Sequence, residues 1–221
     1  MDALVAQFFN LEIMLKAWPM MLRGLGMTVL LCLAVIPLGL IGGLLVALAS
    51  TSSSRAVRWT TAVLVDVFRA VPPLALLIFI SAGLPFAGIR LSPFAAVCLS
   101  FFLNNSAYYG EIIRAGIESI GDGQRQAARS TGLTALQTQA YVVLPQAVRN
   151  VLPDLVSNTI EVVKLTSLAS VVAFAELLYS AEMARSVTYN ASPIVMAAVM
   201  YLALLWPAVR FASSLEHKLK S

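Results

Sequence analysis

Residues 111–145, EIIRAGIESIGDGQRQAARSTGLTALQTQAYVVLP, form the longest polar interval in a sequence that is otherwise mostly apolar. A short alanine-containing segment is followed by Gly132, and the interval closes on Pro145. Gly132 can adopt the left-handed backbone that ends a helix, and Pro145 lacks the N–H group that would continue one. The pattern predicts two short helices, the second over residues 135–143, that lie at a membrane surface and dock onto another protein.

The composition of the whole chain is that of a membrane protein. Of its 221 residues, 59% are hydrophobic and 12% are charged, and the mean hydropathy is +0.85. Ordinary soluble domains carry about a quarter charged residues. The length favours a single domain. We therefore expect one polytopic membrane domain.

Five apolar stretches predict five transmembrane helices and an all-α membrane protein. They cover residues 27–49, 57–82, 93–113, 154–179 and 194–211. Residues 1–20 are predicted to be an amphipathic helix on the external face, because apolar side chains recur there at helical spacing. Residues 21–214 then form the membrane domain, with a docking loop at 114–149, and residues 215–221 form a tail.

The distribution of positive charge predicts the orientation, because cytoplasmic loops are enriched in lysine and arginine. If the docking loop and the tail are cytoplasmic, that side holds nine such residues, and the other side holds four. The nine are Arg55, Arg58, Arg114, Arg125, Arg129, Arg149, Arg210, Lys218 and Lys220, and the four are Lys16, Arg23, Arg90 and Arg185. The N-terminus is therefore expected outside.

No known catalytic signature occurs in the sequence. The GxxxxGK[ST] phosphate loop is absent, so this chain is not itself expected to hydrolyse ATP, and HExxH, CxxC and GxSxG are absent too. Cys32 and Cys98 lie in apolar runs and are interpreted as small buried hydrophobic residues, while His217 lacks ligand partners. No catalytic residue, cofactor or metal is predicted, and no internal repeat of 20 to 50 residues is evident.

Charged residues at membrane depth are candidates for a transport path. Glu161 and Lys164 lie three residues apart on one face of the fourth predicted span, with Asn158 and Ser167 about one turn away on either side. Two interpretations remain open. The face can line a path and offer charge to an amino acid, or the two side chains can simply pair with each other at a helix interface.

Arg69 lies in the second predicted span, one turn after Asp66, and an ion pair within the helix is the favoured interpretation. Pro72 and Pro73 are expected to kink the helix there. Further along, the third predicted span carries a polar group that is expected to hydrogen-bond neighbouring helices or to lie at the membrane interface. Asn104, Asn105 and Ser106 are expected to form the hydrogen bonds between helices. Tyr108 and Tyr109 are expected to lie at the membrane interface.

The spacing in the polar interval resembles the EAA loop of bacterial ABC-importer permeases, whose pattern is EAA, three residues, G, nine residues, then IxLP. The matching positions are Gln126, Ala127, Ala128, Gly132, Leu144 and Pro145. Gln126 stands where glutamate is usual, and Val142 where isoleucine is usual. Residues 24–31, 68–74, 107–120 and 142–177 are also similar, in order and spacing, to the polar-amino-acid subfamily of these permeases. Leu165 departs from that pattern, which usually has a polar residue there.

The resemblance implies a type I (MetI-like) ABC-importer permease fold with cytoplasmic coupling helices at 114–149. It implies a multi-pass subunit of the bacterial inner membrane that moves a polar amino acid by alternating access. The partners implied are ATP-binding subunits, an external solute-binding protein and a second permease, either a copy or a sister chain. The substrate-path candidates are then Arg69, Asn158, Glu161, Lys164 and Ser167. The alternative is an ion-coupled secondary carrier that uses the Glu161/Lys164 face, and it leaves the docking loop without a purpose.

Overall fold

The computed structural model describes residues 2–220, with the side chains of residues 2–214, and all of the regular structure in this range is helical. Two π-helical turns, Phe79–Gly83 and Gln139–Val143, and two 3-10 segments, Leu84–Ala87 and Thr166–Val172, lie between α-helices. The α-helices are α1 (Asp2–Phe8), α2 (Leu11–Ser50), α3 (Arg55–Ala70), α4 (Pro73–Ile78), α5 (Pro93–Glu118), α6 (Asp122–Ser130), α7 (Ala135–Thr138), α8 (Leu144–Asn150), α9 (Leu152–Leu165), α10 (Leu177–Thr188) and α11 (Ser192–Lys220).

Within the described residues, three helical segments are long and apolar enough to cross a membrane: Asp2–Ser50, Leu152–Val172 and Ser192–Ser214. A fourth is counted if Arg55–Ala70 and Pro73–Ala87, which are bent by 97° at the break between them, form one span. The sequence predicted five. The missing one is α5, which is long enough but falls short in hydropathy because polar side chains such as Asn104 interrupt it.

The N-terminal 20 residues do not form the separate surface helix that the sequence predicts. The short helix α1 ends at Phe8, and α2 then runs without a break from Leu11 to Ser50. The side chain of Asn10 accepts a hydrogen bond of 3.2 Å from the backbone N–H of Ile13, as a helix N-cap does. Residues 11–20 therefore belong to the first long helix. His217 and the other side chains of the predicted tail lie outside the described side chains.

The chain divides into two compact units. The first consists of Met1–Ile36, Pro73–Ser100 and Ile160–Arg210, and the second of Pro37–Pro72, Phe101–Thr159 and Phe211–Ser221. In the first unit, alanines, methionines and one leucine from α2, α10 and α11 form a buried cluster. Its members are Ala17, Met21, Leu177, Ala181, Ala184, Met196, Ala197 and Met200. Alanines permit close helix contacts, and methionines fill the irregular space between them.

A fully buried carboxylate fixes the start of α10 in the first unit. Glu176, whose exposed fraction is 0%, accepts hydrogen bonds from the backbone N–H groups of Leu178 (2.8 Å) and Tyr179 (2.7 Å) and from the Tyr201 hydroxyl (2.7 Å). The hydroxyl of Thr28 accepts from the N–H of Leu177 at 3.1 Å. These bonds satisfy donors that the first turn of a helix otherwise leaves unpaired. They also attach α10 to α2 and α11.

Glycines of α2 allow α5 to approach closely in the second unit. A Cβ atom added at Gly43 would overlap Tyr109 and lie 2.9 Å from the backbone nitrogen of Gly110. Tyr109 itself is fully buried and shares a hydrogen bond of 2.8 Å with Thr159 of α9. The prediction that Tyr109 lies in the membrane-interface belt is therefore wrong, because the glycine contact places its ring inside the unit.

Candidate functional site

The first arm of the docking loop is α6. Gln126 and Ala127 are exposed on this helix, whereas Ala128 is buried. A helix of nine residues that buries one small side chain and exposes its neighbours leaves backbone and short side chains accessible to another surface. Of the two alanines in the predicted motif, Ala127 therefore lies on the exposed side of α6 and Ala128 on the buried side.

The turn after α6 follows the prediction. Gly132 has a φ of +89°, and a Cβ atom added there would meet nothing within 4 Å. The glycine is therefore favoured by its left-handed backbone and not by a lack of space. Thr134 and Gln137 then form a reciprocal capping box. The N–H of Gln137 donates to the Thr134 hydroxyl at 3.2 Å, and the N–H of Thr134 donates to the side-chain oxygen of Gln137 at 2.9 Å. The second helix begins at Ala135, as the sequence predicts.

Pro145 does not end that helix, which is where the sequence prediction is wrong. The chain continues from α7 through the π turn Gln139–Val143 into α8, and Pro145 lies in the first turn of α8. The N–H of Leu144 bonds to the carbonyl of Gln139, five residues earlier. This wider turn removes the clash that a proline ring makes with the carbonyl four residues before it in an α-helix. Leu144 and Pro145 therefore continue the second arm.

Two apolar side chains on the second arm were not singled out from the sequence. Leu136 is 79% exposed and Tyr141 is 71% exposed. Large exposed apolar side chains are typical of surfaces that contact another protein when they stand together with a polar surround. The sequence signal that could have identified them is that two large apolar residues lie inside its longest polar interval.

Both arms of the docking loop are bonded to the end of α5. The guanidinium of Arg125 donates a hydrogen bond of 2.8 Å to the carbonyl of Ile117. The side-chain amide of Asn150 donates one of 3.1 Å to the hydroxyl of Ser119. A Cβ atom added at Gly116 would lie 2.8 Å from the carbonyl of Ala147. The loop is thus fixed to α5 at its beginning and at its end.

A charged cluster surrounds the last turns of α5. Arg114 donates to Glu111 at 2.9 Å and to Glu118 at 2.6 Å. These two carboxylates raise the pKa of the Arg114 guanidinium, Glu111 contributing most. Together with Arg58 and Asp66 they line a polar cavity of about 300 Å³. This end of α5 is therefore polar and charged, as expected near a membrane surface.

Glu161 and Lys164 pair with each other on α9, and the two interpretations of this face both stay open. The Lys164 ammonium pairs with the Glu161 carboxylate, and the hydroxyl of Ser167 donates to the carbonyl of Lys164 at 2.8 Å. Both charged side chains are exposed, Glu161 by 62% and Lys164 by 49%. The pair is therefore accessible on the surface of this chain. Asn158 lies on α9 in the second unit, and its Nδ2 is buried without a hydrogen-bond partner among the described residues.

Arg69 does not pair with Asp66, so the favoured interpretation is wrong. Its guanidinium lies 3.6 Å from the carboxylate of Glu111 and stacks over the ring of Tyr108, at 5.4 Å from the ring centre. The predicted kink is a complete break, since α3 ends at Ala70 and α4 begins at Pro73. The two prolines therefore place Arg69 at a helix terminus, where its side chain reaches α5.

The predicted helix-to-helix hydrogen bonding holds for one of three residues. Asn104 donates a bond of 3.0 Å to the carbonyl of Phe68. The Nδ2 of Asn105 and the hydroxyl of Ser106 are buried without a partner among the described residues. Across the described side chains, no three histidine, cysteine, aspartate or glutamate residues lie together as metal ligands would.

Comparison with known proteins gives a consistent family. Residues 39–221 match the model of the binding-protein-dependent transport system inner membrane component. The chain is 32% identical to the probable amino-acid ABC transporter permease protein YckA of Bacillus subtilis (strain 168) over 95% of this chain and 93% of that protein. It is also 32% identical to the arginine transport system permease protein ArtQ of the same strain, over 92% of this chain and 94% of that one.

Solved structures share the fold. A crystal structure of an amino acid ABC transporter with histidines has 34% identity and a TM-score of 0.84, covering 93% of this chain and 96% of that one. An inward-facing structure of the MetNI methionine ABC transporter has 19% identity and a TM-score of 0.74, covering 89% of this chain and 96% of that one. The second similarity concerns the fold alone, which is that of MetI-like type I importer permeases.

Proposed function

This chain belongs to the family of binding-protein-dependent transport system inner membrane components, and we propose that it is the permease subunit of an ATP-driven importer of a polar amino acid. The amino-acid permeases among its relatives support this substrate class. The observation that carries the proposal is the docking loop, in which two helical arms joined at Gly132 are bonded to the end of a membrane helix. The chain's own role is to form the path and its gate, and ATP is hydrolysed by a separate subunit.

The proposed contact with the ATP-binding subunit is made by both arms of the docking loop. Gln126 and Ala127 supply the accessible part of α6, and Leu136 and Tyr141 supply apolar area on the second arm. Burying apolar area stabilises an interface by roughly 25 cal/mol per Å² removed from water, before the costs of association. Gln126 keeps an acceptor oxygen where a glutamate is usual, so this contact relies on packing and neutral hydrogen bonds.

The membrane topology we propose has five spans, with α5 as the span that its hydropathy alone does not identify. Its 26 residues reach about 39 Å, which exceeds the roughly 30 Å of a bilayer core. The excess of positive charge on the docking-loop side supports an external N-terminus and a cytoplasmic tail at 215–221. The setting is the bacterial inner membrane.

The proposed assembly contains two permeases, which are copies or sister chains, two ATP-binding subunits and an external solute-binding protein. Closure of the ATP-binding subunits moves the docking loops and changes the permeases between outward-open and inward-open states. Arg69, Asn158, Glu161, Lys164 and Ser167 are the candidates for the path. Of these, Glu161 and Lys164 present opposite exposed charges to the two charged groups of an amino acid.

The test is assembly and amino-acid-stimulated ATP hydrolysis in liposomes that contain the permease, its cognate ATP-binding subunit and the binding protein. We expect Gly132→Asp to abolish stimulation, because a left-handed backbone costs a non-glycine residue about 1–2 kcal/mol and the new charge lies in the interface. The matched control is Gly88→Asp, which has a similar positive φ of +81° and equal space but lies outside the docking loop, and which retains assembly. Uptake that follows an ion gradient without any ATP-binding subunit would replace the importer by the secondary carrier.

A further inference from the structure

The double proline after α3 leaves two specific carbonyl groups without backbone donors. In a continued α-helix the N–H groups at positions 72 and 73 would bond to the carbonyls of Phe68 and Arg69, but proline has no N–H. The last regular bond is the one from the N–H of Val71 to the carbonyl of Val67, at 3.0 Å. A carbonyl that is left without a donor and away from water costs about 1–3 kcal/mol in proteins.

Both carbonyls are satisfied by side chains of α5. The amide of Asn104 donates to the carbonyl of Phe68 at 3.0 Å, and the hydroxyl of Tyr108 donates a longer bond of 3.4 Å to the carbonyl of Arg69. One helix therefore supplies from its side chains the donors that the other has lost from its backbone.

The same face of α5 also holds the Arg69 side chain. The ring of Tyr108 lies under the guanidinium, and the carboxylate of Glu111 lies 3.6 Å from it. Positions 104, 108 and 111 are separated by four and three residues and therefore form one stripe along a helix. We call these three side chains the α3 clamp: Asn104, Tyr108 and Glu111.

The helix that carries the α3 clamp is also the helix to which the docking loop is bonded. Arg114 connects Glu111 to Glu118 on the last turn of α5, and Arg125 and Asn150 bond the two arms of the loop to the residues that follow Gly116. A displacement of the loop must therefore move this end of α5. A helix transmits such a displacement along its length because its backbone hydrogen bonds resist compression and bending.

We propose that the α3 clamp couples the docking loop to the break after α3, so that α3, α5 and the loop move as one body and carry Arg69 with them. The proposal rests on the proposed function, because it requires an ATP-binding subunit that moves the loop. Asn104, Tyr108 and Glu111 are positioning residues in this scheme. The chain flexes at Val71 and Pro72, outside the clamped region.

The first test is a double-mutant cycle on uptake per ATP hydrolysed, in liposomes that hold the assembled transporter with its binding protein. We expect Asn104→Leu to lower this ratio about fivefold, the factor that corresponds to one hydrogen bond. Pro72→Ala restores a backbone N–H for the Phe68 carbonyl, so in that background Asn104→Leu has a much smaller effect. An equal effect in both backgrounds would overturn the proposal. The control is Asn105→Leu, which removes a neighbouring buried amide that has no bond to α3.

The second test does not depend on the activity of any proline variant. Spin labels are placed on α3 by Val63→Cys and on α6 by Gln124→Cys, both exposed positions, after Cys32→Ala and Cys98→Ala. The label distance is expected to stay constant between the nucleotide-free and ATP-trapped transporter, and to shift or broaden when Asn104→Leu is added. A shift with the α3 clamp intact overturns the proposal. If the unaltered permease does not assemble with the ATP-binding subunit at all, the proposed function fails instead.

Discussion

Removing the hydroxyl group of Tyr201 tests the buried carboxylate that fixes the start of α10. Both oxygens of Glu176 accept hydrogen bonds, and Oε2 accepts from both Leu178 and Tyr201. Removing one partner of a buried hydrogen bond costs about 1–3 kcal/mol. Tyr201→Phe deletes one of three donors and keeps the ring, so we expect a loss of about 2 kcal/mol of unfolding free energy.

The loss can be measured as a lower melting temperature of the purified permease in detergent. At roughly 2–4 °C per kcal/mol for a chain of this size, we expect a decrease of about 4–8 °C. The free thiols of Cys32 and Cys98 report unfolding through a dye that fluoresces on reacting with them. Tyr189→Phe makes the same chemical change on a side chain of a residue that is 89% exposed and serves as the control.

A double-mutant cycle separates the hydrogen bond from the loss of packing. Glu176→Gln replaces an oxygen by an amide that donates, so it places a donor against the donors of Leu178, Tyr179 or Tyr201. In that background Tyr201→Phe should cost much less than it does alone, because the bond is already broken. Equal melting temperatures for Tyr201→Phe and Tyr189→Phe, or an unchanged cost in the Glu176→Gln background, would refute the hydrogen bond between Tyr201 and Glu176.

Two further predictions concern helix packing and the path. Gly43→Ala should destabilise the permease by about 1–3 kcal/mol, because the added methyl overlaps Tyr109. Gly26→Ala, on the same helix in open space, should not, and equal melting temperatures would contradict the close α2–α5 contact. Exchanging the charges by Glu161→Lys with Lys164→Glu should change stability by less than about 1 kcal/mol, as for an exposed ion pair. It should still abolish uptake in liposomes, and full uptake would mean that the two residues serve only each other.

The docking loop shows how far local sequence signals reach. Gly132 and the start of the second helix at Ala135 were predicted from the sequence, because a positive φ and a capping box depend on residues that are neighbours in the chain. The helix stop at Pro145 was wrong because the rule for proline assumes α-helical geometry. A π turn before the proline satisfies the same steric requirement without ending the helix.

Contacts between distant residues account for the other errors. Asp66 is the nearest carboxylate to Arg69 along the chain, yet the partner is Glu111, because the helix break presents Arg69 to α5. The burial of Tyr109 likewise depends on glycines in α2 that no property of its own span reveals. Periodicity identifies which face of a helix is polar, but it does not identify which other helix that face meets.

Hydropathy separated the membrane segments unevenly. The apolar stretch at residues 93–113 was predicted to be a span, but α5 as a whole is less apolar than the segments Leu152–Val172 and Ser192–Ser214 because it carries polar side chains that bond within the second unit. The same polar side chains that lower the hydropathy of α5 form the α3 clamp. A membrane helix whose side chains hydrogen-bond to neighbouring helices therefore has a lower hydropathy, and its contacts identify it better than its composition does.

The π turn at Gln139–Val143 also sets a helical phase. It holds one residue more than a regular turn would, and each residue rotates an α-helix by about 100°. Deleting a single residue here would remove the π turn. The helix before the deletion would then be rotated by about 100° about the helix axis relative to the helix that carries Pro145. Leu136 would then point in a different direction relative to α8 and α9. The length of this five-residue segment, independent of its composition, therefore decides which way the second arm of the docking loop faces.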